Sequence, residues 1–186
     1  MIINFIRHGK TAGNIERRFI GSTNEPLCDA GIAELKNIVY PECERVISSP
    51  MTRCIETANI IYPSENISAY DELRECDFGI FEGKRHAEMD GDPTYIKWIE
   101  NNGMTAPPGG ENVDEFRERC AAGFLKAVGE NRSLNAVSFV VHGGTIMSIL
   151  EKYAVPHKEF YEYVTENGRG WLTVFDGEKL RITGKI

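Results

Sequence analysis

The 186-residue chain is 41% hydrophobic and 26% charged, with 18 Gly and 8 Pro, a composition that suits one well-buried core and predicts a single domain over residues 1–186. Its 21 Lys and Arg against 28 Asp and Glu leave a net charge of −7, which opposes nonspecific attraction to nucleic acid or an anionic membrane and requires a local basic pocket for any anionic ligand. No apolar run approaches the roughly 18 residues of a membrane span, and the scattered Cys28, Cys43, Cys54, Cys76 and Cys120, without a C-x-x-C pair, signal neither a disulfide framework nor a zinc cage.

In chain order, Ile2 to Ile6 is a short apolar strand that ends in Arg7-His8-Gly9-Lys10-Thr11. The start of the chain is too short for a secretion signal, so a cytoplasmic protein with reduced thiols is expected. Ile32, Leu35, Ile38 and Val39 predict a helix from Asp29 to Val39. Glu44 to Ile47 is a second strand, and Pro50 opens a helix with an apolar stripe of Cys54, Ala58 and Ile61 that stops at Pro63. Residues 71–93 are rich in charge and Gly and predict an excursion over the surface. A short helix around Tyr95 to Ile99 and a Pro107-Pro108-Gly109-Gly110-Glu111 turn follow, and could cover a site as a lid.

Asn112 to Val128 has helical apolar spacing, Ala136 to Val141 is a nearly continuous buried strand, and Gly144 to Tyr153 is again a helix. Two strands, Trp171 to Phe175 and Lys179 to Ile182, flank an Asp176-Gly177 hairpin signal. Strand and helix alternation with a terminal hairpin predicts an α/β protein, a three-layer α/β/α sandwich around a mixed, mostly parallel sheet.

Ligands in such folds collect beyond the carboxyl ends of the parallel strands. Those ends carry Arg7 and His8, then Ser49-Pro50-Met51-Thr52-Arg53, then His142-Gly143-Gly144. Arginine forks and glycines at a helix start suit phosphoryl oxygens. A neutral imidazole beside them is a competent nucleophile toward phosphorus, and the surrounding cations favour its neutral form. His86 and His157 stand apart from these ends and read as surface histidines.

The run Arg7-His8-Gly9-Lys10-Thr11 resembles the signature of the histidine phosphatase superfamily, which includes cofactor-dependent phosphoglycerate mutase. Asn14, the Ser49 to Ala58 segment, Leu73-Arg74-Glu75-Cys76-Asp77-Phe78-Gly79 and Val140-Val141-His142-Gly143 resemble its further motifs in order and spacing. The resemblance implies a phosphoglycerate mutase-like fold in which His8 is phosphorylated, Arg7, Arg53 and His142 bind the phosphoryl oxygens, and Glu75 donates the proton. It implies that Asn14 and the Gly143 backbone complete the phosphate shell, and that no metal or organic cofactor is needed because two arginines and a protonated histidine do the work of a metal clamp.

Glu75 lies in a cluster with Asp71, Glu72, Asp77 and Glu82, and only the resemblance singles it out; Asp77 and Glu82 are its natural substitutes. The segment Gly21-Ser22-Thr23-Asn24-Glu25-Pro26-Leu27 and the Pro-Pro-Gly-Gly-Glu turn resemble bacterial small-molecule phosphatases of the α-ribazole phosphatase kind, which implies a substrate-binding role for Gly21. The expected activity is hydrolysis of a small-molecule phosphomonoester, with no nucleic acid, membrane or obligate protein partner indicated. The alternatives are a phosphoglycerate mutase-type transfer and a noncatalytic phosphate-binding module. Against a mutase stand the lack of an arginine between Arg85 and Arg117 and the Gly144 where mutases of the family tend to carry Asn.

Overall fold

The computed structural model describes residues 1–186. Its elements are β1 (Ile2–Arg7), α1 (Ala12–Ile15), α2 (Asp29–Leu35), β2 (Arg45–Ser48), α3 (Thr52–Ile61), β3 (Ile67–Ala69), α4 (Pro93–Glu100), α5 (Val113–Glu130), β4 (Ala136–Val141), α6 (Gly143–Tyr153), β5 (Ala154–Val155), β6 (Gly170–Phe175) and β7 (Leu180–Lys185). The strands form one seven-stranded sheet in the order β3-β2-β4-β1-β6-β7-β5. Pairs β2/β3, β2/β4, β1/β4 and β5/β7 are parallel, and β1/β6 and β6/β7 are antiparallel.

Side chains alternate across a strand, and here each face meets its own helices. Ile3, Phe5, Ile47, Val137 and Phe139 pack with Phe116 and Phe124 of α5 and Ile146 and Ile149 of α6. Ile6, Val46 and Val140 point the other way, onto Cys54 and Ala58 of α3. The result is the mixed three-layer α/β sandwich, with α2 beside α3 on one face and α5 beside α6 on the other. The neighbouring parallel strands β1 and β4 thus send the chain to opposite faces, and such a divergence opens a crevice at their carboxyl ends.

Several boundaries differ from the sequence pattern for local reasons. Helix α2 ends at Leu35, not Val39, because Asn37 caps the carbonyl of Ala33 and Pro41 restricts the residue before it; Val39 is 93% exposed. Pro50 stands ahead of α3, which starts at Thr52 after the extended Met51. Asp92 caps α4 and Pro93 begins it. The segment 71–93 is not a surface excursion throughout: it winds through three 3-10 turns that bury Leu73 and Phe81 fully. Strands β3 and β5 escape pattern reading because three and two residues carry too little alternation.

Candidate active site

His8 follows β1 and His142 follows β4, so the parallel register that pairs Arg7 with Val141 brings the two rings together. Their centroids lie 5.2 Å apart, edge to face. The Nδ1–H of His8 donates to the carbonyl of Gly9 at 2.7 Å, which fixes the tautomer and leaves the lone pair on Nε2. The ring is 3% exposed. Burial first, then the charges of Arg53 and Arg7, holds its pKa well below the ordinary histidine value against the pull of the Gly9 hydrogen bond. His8 is therefore a neutral imidazole with an oriented lone pair.

At His142 too the surroundings favour the neutral imidazole, whereas the resemblance implies a protonated histidine on the phosphoryl group. Burial, Arg53 and His8 push its pKa well below the ordinary value. Its Nδ1 accepts from Nε of Arg53 at 3.3 Å, so Nε2–H donates to Oγ of Ser49 at 2.8 Å. Both nitrogens are occupied, and the positive charge of the site resides on Arg7 and Arg53.

Arg53, the second residue of α3, is completely buried. Its Nη1 donates to the carbonyl of Thr23 at 2.7 Å and its Nη2 to the carbonyl of Gly21 at 2.9 Å, which leaves two of the five guanidinium donors unused. Arg7 gives Nη1 to the carbonyl of Thr165 at 2.9 Å, while its buried Nε has no partner. Gly143, the first residue of α6, presents its face to that guanidinium: a Cβ there would lie 3.5 Å from Cζ and Nε of Arg7. An orphaned N–H beside a helix start is a donor ready for an anion.

The three acidic candidates are placed differently. Glu75 lines a cavity at the carboxyl end of the sheet, and its carboxylate accepts from the amides of Cys76 at 3.1 Å and Gly144 at 3.0 Å. Burial raises its pKa above the ordinary carboxylate value, opposed by those two hydrogen bonds and by Arg53 and Arg7. Asp77 instead accepts from the amide of Gly79. Glu82 accepts from the amides of Gly21, Ser22, Thr23 and Phe78 and from the Thr23 hydroxyl, so it holds the very loop whose carbonyls hold Arg53.

Gly21 accordingly sits behind Arg53, with its amide given to Glu82 and its carbonyl to the guanidinium, and does not line the cavity. A Cβ there would meet the carbonyl of Cys76 at 1.8 Å, so only glycine lets the loop pass. Asn14 does line the cavity; its Oδ1 accepts from the amide of Thr11 and from Nδ2 of Asn167, which leaves its own Nδ2 free. Three residues here lie outside the motifs, and a fourth, Thr57, lies within the Ser49 to Ala58 segment without a role read from it. Asn167 also reaches the carbonyls of His8 and Gly9, and Gly168 donates to the carbonyls of Arg7 and His8. Arg119 on α5 staples the backbone of Glu72 and Arg74 ahead of the acid, and Thr57 joins the amide of Gly9 to the carbonyl of Arg53. An Asn-Gly turn before a strand was the one visible signal among them.

The cavity has a volume of about 330 Å³. Arg7, Asn14, Glu75 and Gly143 make its polar end, next to the buried His8, Arg53 and His142. The rest combines six aromatic side chains, Phe19, Phe78, Trp98, Phe116, Phe160 and Tyr161, with aliphatic ones and with Arg18, Asn102 and Arg117. Trp98 and Pro107 of the expected cover reach this wall; Tyr95 packs behind it against Phe81. His86 and His157 are exposed and outside the wall. No cluster of three or more His, Cys, Asp or Glu side chains is placed to hold a metal ion, and no helix is long and apolar enough to cross a membrane.

Comparison with known proteins agrees with this architecture. The family model described as histidine phosphatase superfamily (branch 1) matches residues 3–184. Phosphoglycerate mutase-like protein 4 of Arabidopsis thaliana is 29% identical over 95% of this chain and 81% of its own. An adenosylcobalamin/alpha-ribazole phosphatase of Salmonella typhi is 23% identical over 91% of this chain and 87% of its own. Among solved structures, a putative alpha-ribazole-5'-P phosphatase from Escherichia coli superposes with a TM-score of 0.87 at 21% identity, covering 98% of this chain and 94% of that one. A phosphoglycerate mutase from Thermus thermophilus gives 0.76 at 26% identity, covering 100% and 98%.

Proposed function

The chain belongs to the histidine phosphatase superfamily, and on that premise we propose that it is a metal-independent phosphomonoesterase that hydrolyses a small-molecule ester through a phosphohistidine on Nε2 of His8. One observation carries the reading: the Gly9 carbonyl fixes Nδ1–H of His8 and so orients the Nε2 lone pair, while Arg7, Asn14, Gly143 and the Glu75 carboxyl group line one cavity beside it, so a nucleophile, anion-binding donors and a candidate acid meet at one phosphate site. The Nε2 lone pair attacks phosphorus, the P–O bond to the alcohol breaks, and the departing oxygen takes the proton of Glu75. Water then attacks the phosphohistidine, the carboxylate of Glu75 takes its proton, the P–N electron pair returns to Nε2, and phosphate leaves. Arg7, Arg53, the Gly143 amide and Nδ2 of Asn14 neutralise and orient the transferred group, which is the main demand of phosphoryl transfer.

The names of relatives span mutases and phosphatases and do not choose between transfer and hydrolysis. The remaining cations of the cavity favour hydrolysis. A mutase must retain a doubly anionic intermediate, yet Arg18 is engaged by Glu16 at 2.7 Å and Glu88 at 3.1 Å, and the charge of Arg117, whose buried Nε has no partner, is offset by Glu151 at 3.4 Å. Five free cysteines fit action in the reducing cytoplasm.

The test is to trap the intermediate. Substrate labelled in its phosphoryl group should leave acid-labile, base-stable label on the protein, absent from His8→Ala, and a chelator should leave the rate intact while vanadate inhibits. Substantial turnover by His8→Ala sinks the nucleophile assignment. Loss of activity in chelator with rescue by a divalent ion sinks metal independence. Phosphoglycerate isomerised faster than it is hydrolysed replaces the hydrolase by the mutase.

A further inference from the structure

Resting on the phosphomonoesterase reading with His8 as its nucleophile, we propose that Thr57 is the positioning residue that sets the His8 ring for attack, acting through the backbone of Gly9. Thr57 is fully buried on α3. Its hydroxyl donates to the carbonyl of Arg53 at 2.6 Å, so its proton is committed and the oxygen is left as an acceptor. That oxygen takes the amide of Gly9 at 2.9 Å. The carbonyl of Gly9 in turn accepts from Nδ1 of His8 at 2.7 Å, the bond that decides which ring nitrogen carries the proton and which keeps the lone pair.

The neighbours of Gly9 explain why it needs an anchor from another element. Ahead of it the backbone is already held: the amide of His8 donates to the carbonyl of Val141 at 2.9 Å, and the carbonyl of His8 accepts from the amide of Gly168 at 3.2 Å and from Nδ2 of Asn167 at 3.0 Å. Position 9 is a glycine because a Cβ there would lie 2.8 Å from Cδ1 of Leu35 and 3.2 Å from Cδ2 of Leu27, and a residue without a side chain turns more freely about its backbone angles than any other. The carbonyl that orients the nucleophile thus belongs to the most pliable residue of its loop. The bond to Thr57 removes that freedom; a buried amide without this acceptor would turn in search of another and carry the carbonyl with it. A threonine hydroxyl bonded four residues back along its helix is ordinarily a local matter. Here its second contact, 48 residues away in sequence, crosses from the helix that carries Arg53 to the loop that carries His8. One oxygen therefore ties the line of attack to the arginine that holds the phosphoryl group.

The experiment compares Thr57→Val, which keeps the shape and loses the oxygen, with Thr57→Ser, which keeps the oxygen, using p-nitrophenyl phosphate as substrate and inorganic phosphate as competitive inhibitor. Thr57→Val should lower the burst rate of phosphoenzyme formation by about 10²-fold, the cost of a misplacement of about 1 Å. The inhibition constant of phosphate should change by less than about threefold, because Arg7 and Arg53 keep their own carbonyl anchors, and Thr57→Ser should recover most of the rate. Nitrogen NMR of the imidazoles, with His8→Ala to identify the signals, is the readout that a packing role would not move. In the parent, Nδ1 of His8 should resonate as a protonated nitrogen and Nε2 as a lone-pair nitrogen; in Thr57→Val the two signals should approach each other as the ring samples both tautomers. A parental burst rate in Thr57→Val, unmoved nitrogen signals, or a Thr57→Ser variant as slow as Thr57→Val overturns the proposal and leaves the phosphomonoesterase standing. If the parent forms no phosphoenzyme, the nucleophile assignment falls, and the nitrogen signals alone judge whether Thr57 sets the ring. Should Thr57→Val fail to fold, hydrogen exchange of the Gly9 amide in the parent decides: protection equal to that of β1 upholds the link, and free exchange overturns it.

Discussion

The two ends of the cavity are built in opposite ways. At the phosphate end, functional side chains are fixed by backbone groups: Gly9 orients His8, Gly21 and Thr23 grip Arg53, Thr165 holds Arg7, and Cys76 and Gly144 set Glu75. At the far end the wall is made of side-chain surfaces on short segments, and Tyr161, 61% exposed, is tied across to the carbonyl of Asn102 by a single hydrogen bond of 3.1 Å. The first arrangement stores the geometry of a reaction in the main chain, which costs no reorganisation when charge moves. The second selects by area and shape, a graded property that substitution can retune without touching the chemistry.

The separation can be broken or sharpened by mutation. The largest effect belongs to His8→Ala, for which we expect turnover to fall by about 10⁴-fold or more while the alcohol product still binds; loss of both would show that the ends are one unit. Glu75→Gln should slow an alkyl phosphate by about 10²-fold or more but slow the burst of p-nitrophenyl phosphate much less, because nitrophenolate needs no proton. In the same variant the alkaline limb of kcat/KM should vanish. That limb marks Glu75 losing its proton and lies above the ordinary carboxylate range because burial raises it, whereas the acidic limb, where His8 gains a proton, lies below the ordinary histidine range. Equal slowing of both esters, or a larger difference from Asp77→Asn, removes Glu75 from the acid role.

Glu82→Gln should weaken vanadate inhibition by roughly 10- to 100-fold, the scale of a lost acceptor to several charged or backbone donors, while leaving the ranking of esters by their alcohol part as it was. Inhibition constants unchanged from the parent would show that Arg53 holds its place without Glu82. Smallest is Gly144→Ala. The new methyl collides only with the movable tip of Glu75 and the edge of Phe116, so we expect a roughly tenfold loss on alkyl esters, an unaltered melting temperature and unaltered vanadate binding. A variant that fails to fold would show that the carboxyl group cannot move aside.

Much of the phosphate end was legible before the structure because its chemistry is written in side chains at strand ends: Arg7, His8, Arg53, His142 and the alternation that brings them together. The acid was legible only by resemblance, since charge spacing alone cannot tell a carboxylate facing a cavity from Glu82, which is consumed by a loop. The sequence shows a glycine at position 21 and not which of its backbone groups is taken, and in the structure its amide goes to Glu82 and its carbonyl to Arg53. Asn167, Thr165 and Arg119 act through carbonyls and amides, a language with no residue signature. The fold was read correctly where runs were long and missed where, as in β3 and β5, a neighbour's register and not the segment's own pattern makes the strand.

The position of β1 has a temporal meaning. Its two partners in the sheet are β4, residues 136–141, and β6, residues 170–175, and Asn167 and Gly168 clamp the loop that follows it. The strand that stands first in this fold thus waits for partners more than 130 residues away. Until β4 is available, Ile3, Phe5 and Ile6 have no neighbouring strand to join, and such long-range pairing is slow and exposes apolar edges meanwhile. Catalytic competence is therefore a late event of folding: the loop that carries His8 is set only when Asn167 and Gly168, some 160 residues further along, have closed over it.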